Sequence, residues 1–409
     1  MKYVIIGNSA AGVSAVEGIR SADAAGEIVV ISEERFPVYG RPLISYYLLG
    51  ATDRARMNYR PEDFYEKMGV RLMLGERAER IDVSAKEVVL KSGARVGYDK
   101  LLVATGSRPF DPPMEGLGEV KQKFHFMSMQ DALDLEKALS VRKRALIVGA
   151  GLIGLKCLEG ILGRVKSVTV VDMAGRILPS ILDDAGAAIV QRELEAKGVR
   201  FCLSDSVKKF EQGTAHLAGG GSIPFDLLVV AVGVRPNAEL VREAGGEVAR
   251  GIVTDDHLRT SLPDVFAAGD CTESDDVSSG TRKILALLPN ATQQGFAAGV
   301  NMAGGDSAFG SAIPLNAIGF FGSHVLTAGS YTGESYAEAE GERYRRFFVQ
   351  DGVLKGFILV NAPERAGIYT SLVRNRTPLA GLDTARLEAA PVLAAFPASV
   401  REEMLSREV

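Results

Sequence analysis

Two glycine-rich turns, each entered from an apolar run and each followed one strand later by an acid, constrain this chain more than any other feature. The first reads Val4-Ile5-Ile6-Gly7-Asn8-Ser9-Ala10-Ala11-Gly12, then Val29-Val30-Ile31-Ser32-Glu33. The second reads Ala145-Leu146-Ile147-Val148-Gly149-Ala150-Gly151-Leu152-Ile153-Gly154, then Val168-Thr169-Val170-Val171-Asp172. Such a turn needs glycine first for tightness, a small residue next so that the backbone can approach a pyrophosphate, and glycine last so that helix and strand can pack. The helix that follows aims its first N–H groups at the anion. Gly7, Ser9 and Gly12 fill the first set. Ser9 is its one departure, small enough for the approach and carrying a hydroxyl for a phosphate oxygen. Gly149, Gly151 and Gly154 fill the second. Glu33 stands 26 positions after Gly7 and Asp172 stands 23 after Gly149, where a strand-end carboxylate accepts ribose hydroxyls. Two such units imply two dinucleotides, and two dinucleotides on one protein imply electrons passing between them.

The surrounding sequence is a long internal duplication. Short apolar runs alternate with helical patterns, the signature of βαβ units and parallel sheets. The first block closes on Lys100-Leu101-Leu102-Val103-Ala104-Thr105-Gly106-Ser107, and prolines 109, 112 and 113 follow. The second closes on Leu227 to Val232, Gly233, Val234, Arg235 and Pro236. A third segment carries Tyr344-Arg345-Arg346-Phe347-Phe348-Val349, the turn Gln350-Asp351-Gly352, and Leu354 to Val360, which predicts a β-hairpin on an Asp-Gly turn. The expected fold class is α/β: two Rossmann-like dinucleotide-binding domains and an α+β C-terminal interface domain.

Composition narrows the partners. A chain of 409 residues with net charge −4 shows no general attraction to nucleic acid or anionic membrane. No apolar run predicts a membrane span, and Met1-Lys2 leads straight into a strand, so a cytoplasmic protein without a signal peptide is expected. Cys157, Cys202 and Cys271 lack metal-ligand or CxxC spacing, and His125, His216, His257 and His324 are widely separated, so no metal site is expected.

From end to end the sequence resembles the FAD-dependent pyridine-nucleotide oxidoreductases. Within them it is most similar to the rubredoxin reductase, ferredoxin reductase and nitrite reductase large-subunit branch. Ala104-Thr105-Gly106-Ser107-Arg108-Pro109 resembles the second flavin motif. Ser261 to Cys271, ending Ala268-Gly269-Asp270-Cys271, is similar to the third. Tyr39-Gly40-Arg41-Pro42-Leu43-Ile44-Ser45 resembles the segment that passes the flavin ring, and Asn290-Ala291-Thr292-Gln293-Gln294-Gly295 the helix start facing its pyrimidine edge. The resemblance implies FAD on Gly7, Ser9, Ala10, Ala11, Gly12, Glu33, Arg41, Pro42, Thr105, Gly106, Asp270 and Asn290. It implies NAD on Gly149, Gly151, Leu152, Ile153, Gly154, Asp172 and Gly233. The implied domains are 1–112 with 248–308 for FAD, 113–247 for NAD, and 309–409 for the interface.

Two departures from relatives matter. The flavin-side segment Phe36 to Pro42 holds no redox cysteine, so a thiol-dependent reaction is not expected. Many relatives also pair a Glu, two residues past the last glycine of the NAD turn, with a Lys from the flavin-side helix. Here Lys156 stands at the Glu position and Tyr46 at the Lys position. Lys156 is the one candidate catalytic residue, facing the flavin as a cation, or else a helix residue that extends to water. The implied activity is hydride transfer from NADH to flavin N5, then one-electron delivery to rubredoxin, ferredoxin or an iron–sulfur subunit. An NADH-responsive binding flavoprotein similar to apoptosis-inducing factors is the alternative from another class. NADH is expected over NADPH because Asp172 repels a 2′-phosphate, with Arg176 expected as a solvated residue after the strand. A homodimer is left open.

Overall fold

The computed structural model describes residues 1–383 and 392–406. Residues 384–391 and 407–409, part of the expected C-terminal domain and its polar tail, lie outside the described residues. The chain divides into two compact units. One comprises Met1–Gly175, Lys197–Ser274 and Lys283–Gly310; the other comprises Arg176–Ala196, Asp275–Arg282 and Ser311–Val409. Among the described residues no helix is long and apolar enough to cross a membrane.

The first unit holds two five-stranded parallel sheets of matching plan. In one, the strands run in the order Val265–Ala267, Lys100–Val103, Lys2–Ile6, Glu27–Ser32, Val70–Leu74. In the other, the order is Arg200–Leu203, Ser167–Asp172, Arg144–Val148, Leu227–Val230, Lys123–Phe124. Each glycine-rich turn leaves the central strand, flanked on one side by the acid-bearing strand and on the other by the strand that closes its block. The central runs are continuous Val, Ile and Leu because both faces of a parallel sheet are covered; Val4, Ile5, Leu146 and Ile147 have no exposed surface. The two Rossmann-like halves read from the sequence are therefore present in topology as well as in motif.

Helix α1 (Ala10–Ala22) leaves the first turn, α2 (Ile44–Leu49) follows the Tyr39 to Pro42 segment, α3 (Leu152–Ile161) leaves the second turn, and α4 (Leu288–Met302) lies along α1. Backbone meets backbone where α1 crosses α4. A Cβ on Gly18 would stand 2.1 Å from the Phe296 carbonyl oxygen, and one on Gly295 or Gly299 would stand 2.1 or 2.2 Å from those of Ala11 or Ala15. Small residues thus set how deeply α4 seats, and with it the position of the residues at its start.

In the second unit the sheet is antiparallel, in the order Leu315–Phe320, Ser323–Gly329, Val353–Val360, Arg343–Gln350, Glu334–Glu340. The expected hairpin is its centre: Gln350 pairs with Val353 across Asp351 (φ 53°) and Gly352 (φ 72°). Both turn residues are left-handed, as a two-residue hairpin turn of this twist requires. The segment Arg176–Ala196 joins this sheet through Asp183, which accepts hydrogen bonds from the Tyr344 hydroxyl (2.5 Å) and the Arg346 guanidinium (2.8 Å). Arg176, expected as a solvated residue after the strand, keeps 38% of its side-chain surface exposed while its guanidinium donates to the Leu182 carbonyl at 2.9 Å and pairs with the exposed Asp184 at 3.1 Å.

Candidate functional site

The two turns are built alike, atom for atom, although they share few side chains. Gly7 (φ 120°) and Gly149 (φ 114°) lie where an added Cβ would stand 2.0 Å from the Ala104 carbonyl oxygen and 2.3 Å from that of Ala231. A Cβ on Gly12 or Gly154 would stand 2.0 Å from the carbonyl oxygen of Gly7 or Gly149, so each last glycine closes its turn on the first. The amides of Gly7 and Gly149 donate to the carbonyls of Ile31 and Val171, both at 2.8 Å. These contacts hold the turns at the carboxyl ends of their sheets, beside the strand pair where a crevice opens.

The helix starts beyond the turns are left without side-chain caps. Ser9 stands at the N-cap of α1 and Gly151 at that of α3, and neither accepts a side-chain hydrogen bond from the first-turn amides. Serine ordinarily does so. Here the Arg41 guanidinium reaches the Ser9 hydroxyl, Nε to Oγ 3.4 Å. The first-turn amides, including those of Ala10, Ala11 and Gly12 in α1 and Leu152, Ile153 and Gly154 in α3, remain available to an anion. Beside the first turn, Asn8 Oδ1 accepts from Tyr65 (2.7 Å) while the buried Asn8 Nδ2 has no partner among the described residues. A buried donor without an acceptor costs about 1–3 kcal/mol, which a pyrophosphate or ribose oxygen at this place would relieve.

The other residues assigned from the sequence to the first site fall into three clusters. Arg41 pairs with Glu34, donates to the Met127 carbonyl (3.1 Å), and lies 3.3 Å from the Tyr39 hydroxyl; Tyr39 in turn donates to Glu34 at 2.7 Å and accepts from the Met129 amide at 2.8 Å. Pro42 follows in the short turn Arg41–Leu43. Thr105 and Gly106 are held by Asn237, which the sequence reading missed: Thr105 Oγ1 donates to the Asn237 carbonyl (2.7 Å), Asn237 Nδ2 to the Thr105 carbonyl (2.9 Å), and the Asn237 amide to the Gly106 carbonyl (2.9 Å). Its signal was the Pro236-Asn237 pair directly after the second block. Gln294, read from the sequence only as part of the helix-start motif and not as a site residue, fixes the third cluster by accepting from the Gly269 amide at 2.6 Å. Burial raises the Asp270 carboxyl above its ordinary range, opposed by the charge of Arg41. Asn290 is buried at the start of α4. Glu33 is exposed and pairs with Arg77 at 3.3 Å.

At the second turn Asp172 has a structural task as well. Its carboxylate accepts from the Ala150 amide (2.6 Å) and the Ala174 amide (2.8 Å), so the acid holds the turn that it serves. Gly233 has φ 121° and no atom within 4 Å of a would-be Cβ; conformation explains this glycine, and its side faces open space. Lys156 is not the lone cation that the sequence suggested. It pairs with Glu159 one helical turn on, and its Nζ stands 4.4 Å from the Tyr46 ring centroid. The Lys156 and Glu159 side chains are 18% and 5% exposed, so this is a pair withdrawn from water at the contact of α2 with α3. The acid missing from the usual position reappears three residues later on the same helix.

Two of the thiols stand beside this machinery, Cys157 next to Lys156 and Cys271 next to Asp270. Cys157 and Cys271 are buried, and burial pushes both thiols up, Cys271 to about 11. A thiol held protonated is a poor nucleophile. The triple substitution Cys157→Ala, Cys202→Ala, Cys271→Ala is expected to keep NADH-driven flavin reduction within about twofold, at a stability cost of roughly 1 kcal/mol for each buried sulfur. Loss of reduction with FAD still bound, read by absorbance, would show a missed redox thiol. His257 bridges Asp256 (2.6 Å) and Asp306 (2.7 Å), a surface tie beyond α4.

Known proteins resemble this chain over most of its length. The family model described as pyridine nucleotide-disulphide oxidoreductase matches residues 1–295. The chain belongs to this family. It is an FAD- and NAD(H)-using oxidoreductase. A curated family member, the NADH-dependent phenylglyoxylate dehydrogenase subunit epsilon of Aromatoleum evansii, is 32% identical over 93% of each chain. A rubredoxin-NAD(+) reductase of Pseudomonas putida is 33% identical over 72% of this chain and 78% of its own. Among solved structures, a NAD-dependent persulfide reductase from A. fulgidus superposes with TM-score 0.86 at 26% identity, covering 99% of this chain and 83% of that one.

Proposed function

We propose that this oxidoreductase is an NADH-dependent reductase of a one-electron carrier protein, a rubredoxin or a ferredoxin. The observation that carries the reading is the matched pair of turns, each tied to its acid strand and each opening onto uncapped helix amides. FAD fits the first turn, where the buried Asn8 Nδ2 awaits an acceptor. Gly7, Ser9, Ala10, Ala11 and Gly12 would hold its pyrophosphate, Glu33 its ribose, and Thr105, Gly106, Asp270 and Asn290 the remainder, with Arg41 and Pro42 shaping the wall. NAD fits the second turn, on Gly149, Gly151, Leu152, Ile153 and Gly154, with Asp172 toward the ribose and Gly233 leaving the nicotinamide side open. Bound FAD supplies the step from two-electron to one-electron chemistry, which no side chain here can perform. The protein's own part is orientation, since hydride transfer needs near-attack geometry more than an acid or base.

Asp172 sets the nucleotide preference in this reading. Asp172→Ser is expected to narrow the NADH-to-NADPH ratio of specificity constants by about tenfold or more, because the like-charge clash with a 2′-phosphate is removed. It is also expected to raise KM for both nucleotides, because Ala150 loses its acceptor. Equal specificity constants in the native protein would count against the assignment.

A second reading has one observation in its favour. The Aromatoleum relative that aligns over 93% of both chains is a subunit of a larger dehydrogenase. In that reading the acceptor is an iron–sulfur subunit of a complex. Anaerobic stopped-flow tests both: NADH should bleach the flavin of the purified protein, and subsequent mixing with rubredoxin or ferredoxin should restore it. Failure of NADH to bleach retained FAD rejects the reductase. Bleaching without delivery to either carrier moves the acceptor to a subunit partner.

A further inference from the structure

The antiparallel ribbon of Ser107–Pro109 and Val234–Pro236 carries a charge arrangement that the reductase chemistry does not require. Arg108 and Arg235 stand directly opposite each other across its two strands. Like charges at facing positions destabilise a strand pair. Together with Arg242 and Arg250 they line a cleft of about 480 Å³. The cleft contains two acids, Asp111 and Glu239, and both are already engaged. Glu239 takes Arg108 through two hydrogen bonds (2.7 and 3.0 Å), and Asp111 takes Lys123 at 2.5 Å and His125 at 3.2 Å. Arg235 stacks its guanidinium 4.5 Å over the Phe110 ring. Arg235, Arg242 and Arg250 form no ion pair or side-chain hydrogen bond among the described residues. Three exposed guanidinium groups without an ion-pair partner among the described residues therefore line one concavity, Arg242 near enough for its charge to lower the Glu239 carboxyl alongside that of Arg108, in a chain whose net charge is −4.

We propose that this cleft docks the acidic face of a protein partner. Exposed guanidinium groups hold a small anion poorly in water, whereas a cluster of them steers and orients a large acidic surface, and arginine is enriched where proteins meet. The position suits such a partner. Arg108 lies two residues past Gly106 and Arg235 two past Gly233, so the ribbon continues from both expected cofactor segments. That the partner is the electron carrier rests on the reductase reading.

The test uses the FAD-loaded full chain and an acidic ferredoxin. Binding is measured by titration calorimetry over a range of ionic strength, for the native protein and for the triple variant Arg235→Gln, Arg242→Gln, Arg250→Gln. Native affinity should fall steeply with salt. The variant should bind about tenfold more weakly or worse, with a flatter salt dependence, while NADH bleaches its flavin at the native rate. Equal affinity and salt slope in the two proteins overturns the docking surface, as does absence of salt-dependent binding to the native chain. Saturable binding of inorganic pyrophosphate that the triple variant loses, without any change in ferredoxin binding, assigns the cleft to a small anion and also overturns it. Failure of NADH to bleach the flavin is read before ferredoxin is added, so it rejects the reductase separately. Should the triple variant lose FAD, the exposed single substitutions Arg242→Gln and Arg250→Gln should each weaken binding by about twofold or more.

Discussion

Gly149→Ala is expected to leave the protein yellow but reduced by NADH at least about a hundredfold more slowly, and Gly7→Ala to leave it without FAD. The two substitutions are chemically identical and meet the same obstacle: a Cβ at 2.3 or 2.0 Å from a backbone carbonyl oxygen, on a residue whose φ is strongly positive. The left-handed backbone alone costs an alanine about 1–2 kcal/mol, and a backbone oxygen cannot swing aside as a side chain can. The turn must therefore shift away from its neighbouring strand. A displacement near 1 Å at a positioning element costs about a hundredfold in rate, so Gly149→Ala should slow flavin bleaching by at least about that factor at fixed NADH. Flavin released on denaturation measures the other half of the prediction. Native NADH reactivity in Gly149→Ala, or full FAD content in Gly7→Ala, would reverse the assignment of the turns.

Substitutions in the Lys156–Glu159 pair should move the flavin in opposite directions. Breaking a fully buried ion pair costs about 3–5 kcal/mol; here the cost is smaller, because Lys156 keeps 18% of its side-chain surface. Glu159→Gln leaves a cation over Tyr46, which favours negative charge on reduced flavin and should raise the midpoint potential. Lys156→Glu sets two acids together and should lower the potential and slow reduction by NADH roughly tenfold, with FAD content unchanged. Spectroelectrochemical titration reads the potentials and stopped-flow the rates. If both variants lose stability while potential and rate stay native, the pair is only a strut between α2 and α3. The conservative Glu159→Asp variant should restore part of the native potential if the charge pairing itself is what counts.

The legible part of this protein was the part written in backbone requirements. A turn that must pass within contact of a strand end and then of its own helix accepts only glycine at Gly7, Gly12, Gly149 and Gly154, so the sequence announces it. Continuous Val and Ile runs announce parallel strands for a similarly local reason, burial on both faces. The Asp351-Gly352 hairpin was legible because few residues accept positive φ in succession. These demands act over a few residues, and the two-dinucleotide architecture follows from their repetition.

What the tertiary structure alone decided were the partners of side chains far apart in sequence. Asn237 reaches back across 132 positions to hold Thr105, and Gln294 reaches 25 back to hold Gly269. Asp172 was legible as an acid at a strand end, yet its bond to Ala150 was not, because that bond depends on how closely two parallel strands set the turn beside the acid. Lys156 was read as a cation without an acid, because its counter-charge was sought on another helix. The acid is Glu159, in the same helix three residues on, and only the packing of α2 against α3 withdraws both groups from water. The sequence determined which backbone conformations the chain must adopt, since those rest on local sterics. The fold decided which charges meet and which stay unpaired, since that rests on distances fixed only when separate elements pack.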